Sequence, residues 1–169
     1  MSTLPDSPEA LIAALDLEAH PEGGFFRRHF TSSRHAVVGD ESRAMMSCIY
    51  YLLTEDSPIG CLHSNRSDIV HFWQGGGALQ YTLLTADGAL QQTVLGPDLA
   101  TGQQLQLVVP GGWWKASRLL SGRYGLISEA VCPGFDYGDH RFADAEQIRR
   151  DYPQLFPQHW PLLQPLLRS

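Results

Sequence analysis

Apolar residues in the middle of the chain recur in short alternating runs, and turn-forming residues interrupt them at short intervals. Aromatic and β-branched side chains gather in segments 25–30, 45–53, 69–73, 79–84, 90–95, 105–109, 113–119 and 124–131. Gly96-Pro97-Asp98, Thr101-Gly102, Pro110-Gly111-Gly112 and Ser121-Gly122 punctuate them. Asp87-Gly88 lies between two alternating runs and predicts a hairpin with a type I′ turn, which needs positive φ at both central residues. Leu105, Leu107 and Val109 alternate with Gln104 and Gln106, which gives that strand one core face and one polar face. Many short strands with no helix between them predict a sandwich or barrel rather than a parallel sheet.

The two ends read differently. Ser7 as N-cap, Pro8 at the first helical position and Leu11, Ile12 and Leu15 on one face predict a helix over about 8–17. His20-Pro21-Glu22-Gly23-Gly24 breaks it, and the plain expectation there is a connecting turn. Asp144 with Gln147 reads as a capping box for a helix that Pro153 stops. The tail YPQLFPQHWPLLQPLL alternates prolines with large apolar groups, as short turns laid against the body or a second subunit would. The expected organisation is one domain over 1–169: a helix, strands over about 24–132, and a helical tail over about 143–169.

Composition narrows the function classes. The chain has 169 residues, 18% charged and 43% hydrophobic, as a folded globular protein does. Its net charge of −6 and scattered basic residues argue against a nucleic-acid footprint. No run approaches a membrane span and the start lacks a signal-peptide pattern, so the expected location is cytoplasmic. Cys48, Cys61 and Cys132 sit in strand-like apolar surroundings and predict buried thiols rather than a disulfide framework.

Chemistry concentrates in GCLHSNRSDIVHFWQGG, residues 60–76. On a strand, Cys61, His63 and Asn65 share one face, Leu62 and Ser64 the other, and His71 and Trp73 share a face of the next strand. The polar trio suits a pocket wall, although a histidine so placed is as often a hydrogen-bonded structural group as a catalyst.

The stretch resembles the first motif of a cupin: histidine, a second histidine two residues on, glutamate four later, then glycine. Those positions read His63, Asn65, Ile69 and Gly75 or Gly76, while the second motif reads Pro110, Gly112 and Lys115 where proline, glycine and histidine are usual. Of four usual metal ligands only His63 is present. Isoleucine cannot ligate, asparagine ligates weakly and lysine repels a cation, so the expectation is no metal and no cofactor. Cys61 beside His63 reads as an inert buried thiol rather than a soft ligand.

HPEGGFFRRHF, IYYLL, the residues around His63 and His71, PGGWW and the late PGF together are similar to the Cupin_5 family, over roughly residues 11–152. That resemblance implies an all-β jelly-roll barrel with short helices at both ends, a homodimer, and a shape like the sugar-nucleotide epimerases that use the barrel without metal. Members of the family usually carry an acidic residue where Ile69 stands. The resemblance supplies no substrate; the residues lead to the expectation of a small polar, sugar-like or phosphorylated ligand in the barrel, with metal-free isomerase or epimerase activity through His63 as the candidate chemistry. His63 is the candidate base and Tyr81, Tyr137 or Asp139 the partner acid. Trp73, Trp113 and Trp114 are expected near the mouth, suited to stacking on a sugar, although packing explains at least one of them. Glu22 with Arg27 or Arg28 is either a polar ligand wall or the charged edge of a sheet. Lys115, the only lysine, is read as a surface residue, with anion binding or imine formation as its functional alternatives. The alternatives in other classes are a non-catalytic ligand-sensing module and a metal-dependent oxygenase or isomerase that recruits ligands off the usual positions.

Overall fold

A computed structural model describes residues 4–168. In chain order its elements are α1 (Pro8–Leu15), β1 (Glu18–Ala19), β2 (Phe25–Thr31), β3 (His35–Val38), β4 (Glu41–Ala44), β5 (Ser47–Thr54), β6 (Ile59–Asn65), β7 (Asp68–Gly76), β8 (Leu79–Leu84), β9 (Leu90–Leu95), β10 (Gln106–Val109), β11 (Trp114–Leu119), β12 (Tyr124–Cys132), β13 (His140–Phe142), α2 (Ala145–Asp151) and α3 (Trp160–Leu163). Short 3-10 turns join the last elements. A six-stranded sheet in the order β1-β2-β5-β12-β7-β10 faces a five-stranded sheet in the order β13-β6-β11-β8-β9, and β3 and β4 form a separate hairpin. All strand pairs within these sheets are antiparallel, which makes the architecture the expected cupin jelly roll.

Three apolar clusters explain why several strands do not alternate. Leu53, Leu79, Leu95 and Ile127 are fully buried between the sheets. Leu62, Leu84 and Trp114 face outward from the five-stranded sheet, where Ile148, Leu155, Leu163 and Leu166 of the tail cover them. Leu52, Tyr124 and Leu126 face outward from the six-stranded sheet under Leu11 of α1. A strand covered on both faces is buried without a break rather than alternately, as in residues 51–54 and 114–117. Burying one leucine contributes about 1.5–3 kcal/mol, so the tail is held by its leucines rather than by its short helices.

The caps hold as the sequence suggests: Ser7 accepts from the Ala10 N–H, and Asp144 accepts from those of Glu146 and Gln147. The Asp87-Gly88 turn differs from expectation. Only Gly88 has positive φ, the Gly88 N–H closes onto Thr85 O, and the Thr85 N–H onto Ala89 O. The Thr85 hydroxyl bonds the Asp87 carboxylate. Asp87 is therefore fixed by a side-chain bond, and the loop is a longer turn ending in a left-handed glycine. Leu105 lies outside β10 and is exposed, whereas Leu107 and Val109 point inward. Hairpin β3–β4 and strand β13 carry no alternating apolar pattern and were not legible in the sequence. No helix among the described residues is long and apolar enough to cross a membrane.

Candidate functional site

Cross-strand pairing sets the far wall of the site. On β7 and β12, His71 sits opposite Glu129; on the facing sheet, His63 of β6 sits opposite Lys115 of β11. Lys115 crosses the barrel to place Nζ 3.1 Å from His71 Nε2 and 3.6 Å from Glu129 Oε2, and His71 Nδ1 lies 3.1 Å from Glu129 Oε1. An ammonium only donates, so His71 Nε2 accepts, and Nδ1 carries the ring proton and gives it to Glu129. The Tyr81 hydroxyl lies 3.3 Å from the same Nδ1. Burial pushes His71 below the usual histidine range, and the neighbouring Lys115 pushes it further. Burial would raise the Glu129 carboxyl, but Lys115 and His71 outweigh it and hold the group well below the ordinary range. The far wall is a neutral imidazole between an ammonium and a carboxylate, all buried.

The near wall is delivered by a turn. Gly23 has φ +102°, and a Cβ there would lie 2.2 Å from Ile59 O; Gly24 has φ +70°, with a Cβ 2.5 Å from Leu52 O. Only glycine fits this close approach. The Tyr51 hydroxyl donates to Gly23 O at 2.8 Å, and the Cys61 N–H donates to Glu22 O at 2.7 Å. The segment that reads as a connecting turn is thus laced to β5 and β6 and projects Glu22 into the barrel. His63 Nδ1 lies 2.7 Å from Cys61 O, a group that can only accept. Nδ1 therefore carries the proton, and Nε2 turns its lone pair toward Glu22 Oε2 at 3.3 Å. His140 Nε2 approaches Glu22 Oε1 at 2.7 Å. His140 is in place because β13 pairs with β6, which sets it opposite Asn65. Burial pushes His63 down to about 4, against the pull of Glu22. Burial would raise Glu22, but His63 and the His140 hydrogen bond lower it to about 2. The two shifts together favour a carboxylate facing an unprotonated ring nitrogen, with no proton between them.

A cavity of about 30 Å³ lies between the walls, with Arg28, Asn65, Ile69 and Phe135 among its other lining residues. At about 10–15 Å³ per water it has room for roughly two. Asn65 Oδ1 accepts from the Ser67 N–H at 2.9 Å. Its Nδ2 is the single buried side-chain polar atom without a hydrogen-bond partner among the described residues.

Of the residues singled out in the sequence, the fold brings Glu22, His63, Asn65, His71, Tyr81 and Lys115 to this interior. Lys115 is 4% exposed, which corrects the surface reading: its stem runs inside the barrel and its charge is paired there. Other candidates lie elsewhere. Tyr137 is 62% exposed against the edge of Phe135. The Asp139 carboxylate is gripped by Arg43 at 2.8 Å, which holds it below its usual range. Arg27 pairs with Asp16 on the surface, whereas its neighbour Arg28 lines the cavity. Trp73 packs on the inner apolar core with its N–H on Gly77 O, and Trp114 lies in the outer core under Arg141. Trp113 also packs on the inner core, at the cavity's margin. Trp114, fully buried, is the one that packing accounts for.

Glu129 and His140 were missed. An acidic residue inside the apolar run of β12 was a usable signal for Glu129, since such a residue is rarely buried unless paired. His140 had none, because a three-residue strand has no pattern to read.

The usual cupin ligand positions do not fit a metal here: Ile69 has no donor atom, Asn65 Oδ1 is taken, and Lys115 brings a paired cation. A different trio does converge. One donor atom each from Glu22, His63 and His140 lie within 4.8 Å of one another.

Comparisons with known proteins agree with this architecture. A family model described as Cupin_5, "Cupin superfamily (DUF985)", matches residues 9–143. An uncharacterized protein of Saccharomyces cerevisiae is 41% identical over 157 residues, covering 84% of this chain and 78% of the relative. Among solved structures, a hypothetical protein from Leishmania major has a TM-score of 0.87 at 27% identity, covering 96% of this chain and 99% of that one. A protein from Shewanella oneidensis has a TM-score of 0.85 at 30% identity, covering 98% and 99%.

Proposed function

The chain belongs to the Cupin_5 (DUF985) family of the cupin superfamily, and from that premise we propose that its barrel binds a small oxygen-bearing anion and moves a proton on it, as isomerases and epimerases do. The observation that carries this reading is Asn65 Nδ2, a buried donor that lines the cavity and has no acceptor. An unmatched buried amide costs about 1–3 kcal/mol, and a ligand carbonyl or carboxylate oxygen removes that cost. Arg28 and Lys115 line the same cavity and favour an anion. The small volume favours a compact acid over a sugar nucleotide.

The proton carrier in this reading is Lys115. His63 has its free lone pair aimed at Glu22 rather than into open space, which makes it a poor base on its own. Lys115 gives a proton to His71 Nε2 as His71 Nδ1 gives one to Glu129, leaving a neutral amine facing the ligand. The shift is uphill, because Lys115 and His71 outweigh burial and favour the Glu129 carboxylate, so the neutral amine is a minor species. The amine then takes a proton from carbon next to a carbonyl, and the reverse movement returns it.

The test works without the substrate being identified. A panel of small oxo and hydroxy acids and aldoses is incubated with the protein in D₂O and followed by proton NMR. The expected result is exchange of the hydrogen next to a carbonyl in at least one acid, lost in Lys115→Met. Binding of an acid with no exchange in any compound overturns the enzymatic reading in favour of a ligand-sensing module.

A further inference from the structure

The near wall is arranged to hold a cation. Glu22 Oε2 lies 3.3 Å from His63 Nε2, and His140 Nε2 is 2.7 Å from the other oxygen of the same carboxylate. The His63 tautomer is fixed from behind by Cys61 O at 2.7 Å, which is how metal-binding histidines are commonly oriented. The two imidazoles stack at 5.2 Å with 29° between planes, so both ring edges address Glu22 together. Two imidazoles and one carboxylate with open positions suit zinc or a divalent first-row transition metal. The adjoining cavity has room for the remaining ligands, and the unmatched Asn65 amide lines it.

We propose that Glu22, His63 and His140 form a divalent transition-metal site. It shares only His63 with the usual cupin ligand positions. Its other members come from the turn before β2 and from β13, outside both cupin motifs. Binding moves the His140 ring proton from Nε2 to Nδ1 or releases it, so that Nε2 faces the metal. The inference rests on the proposed function only in sharing its cavity: a bound cation would polarise the ligand oxygen that Lys115 faces.

The test uses the full-length untagged protein, stripped with chelator and titrated with Zn²⁺ by calorimetry and with Co²⁺ by visible absorption. One equivalent of each is expected to bind. Glu22→Gln and His140→Gln are each expected to weaken binding at least about 100-fold, since even supporting partners of metal ligands cost 10–100-fold. His35→Ala, an exposed histidine of the separate β3–β4 hairpin, should leave binding unchanged. X-ray absorption of the zinc-loaded wild type should show nitrogen and oxygen neighbours without sulfur, a readout that stands even if a variant fails to fold. No stoichiometric binding, affinity unchanged in both variants, or a zinc–sulfur distance from Cys61 overturns the proposal. Metal binding without proton exchange would leave the site standing and remove the proposed function; exchange by the stripped protein with no metal binding would do the reverse.

Discussion

On the far wall of the cavity the charges are paired: Lys115 donates to His71, His71 donates to Glu129, and the Glu129 carboxylate closes the ring back to the Lys115 ammonium. On the near wall, built from the same kinds of residue a few ångströms away, Glu22 and His63 oppose lone pairs and Asn65 Nδ2 has no acceptor. The difference follows from how each wall is made. The far wall uses cross-strand pairs in continuous sheets, where registry brings complementary groups together during folding. The near wall is assembled from a glycine-pinned turn, a strand end and a three-residue edge strand. Those segments are held by backbone bonds that do not depend on what their side chains meet. A self-sufficient wall supports the fold; an incomplete one is set up for something that is not part of the chain.

The strongest way to break this comparison is to truncate one carboxylate on each wall. Glu129→Ala leaves a buried ammonium with only a neutral ring beside it, and losing one partner of a buried pair costs about 3–5 kcal/mol. Lys115→Met with Glu129→Leu should recover most of that, because a buried pair replaced by apolar groups of similar size is often neutral. Glu22→Ala should cost about 1 kcal/mol, the net value of its bond to His140. Urea unfolding of the three variants gives the ranking. Equal losses for Glu129→Ala and Glu22→Ala would mean that the walls are alike and the near one is merely structural.

Acid should act on the far wall in two stages. His71 is held below its unfolded value by burial and by Lys115; the groups packed against it are Lys115, Glu129 and Tyr81. The unfolded chain takes up that proton near pH 6.5 and the folded chain does not, so the contribution is complete above about 6.5 and lost as pH falls below it. Glu129 is also held below its unfolded value. Its contribution is complete above about pH 4.3 and lost as pH falls further. Urea midpoints of the wild type should therefore decline between pH 7 and 5 and again below about 4.3. His71→Gln should lessen the first decline, the remainder coming from His63, which burial also holds low, and the gap between wild type and Glu129→Gln should narrow in the second. An identical first decline in wild type and His71→Gln would show that His71 titrates normally.

How much was legible from the sequence follows the same division. The strands 79–84 and 90–95, the Ser7 cap and the inward face of His63 and Asn65 came from periodicity and short-range chemistry. Those signals are local, and the far wall partly shares them, since His71 sits on a readable strand. The near wall was not legible because its completeness depends on contacts over long separations: His140 lies 118 residues from Glu22 along the chain. Trp114 misled for the same reason. Trp114 belongs to an outer core that exists only because Leu155, Leu163 and Leu166 fold back over the sheet, and no pattern within PGGWWK reports which face the tail covers. Lys115 looked like surface because its partners, His71 and Glu129, sit on strands of the opposite sheet.

The smallest expected effect is also the one whose sign discriminates best. In Glu22→Gln the side-chain oxygen can still accept from His140 at the 2.7 Å position, while the new NH₂ group stands where Glu22 Oε2 now lies, 3.3 Å from the His63 lone pair. Two opposed acceptors become a donor and an acceptor, and a buried charge is removed. With no metal present, Glu22→Gln should be more stable than the wild type by about 1 kcal/mol, the usual net value of one added hydrogen bond. A rise of a few degrees in Tm would register it. Adding Zn²⁺ should reverse the order, raising the wild type and leaving the variant unchanged, because only the carboxylate form completes the metal site. A gain in stability at the expense of the site is the expected mark of a residue kept for function. If Glu22→Gln instead loses stability in metal-free protein, then Glu22 and His63 share a proton in the native state, and the near wall is as self-sufficient as the far one.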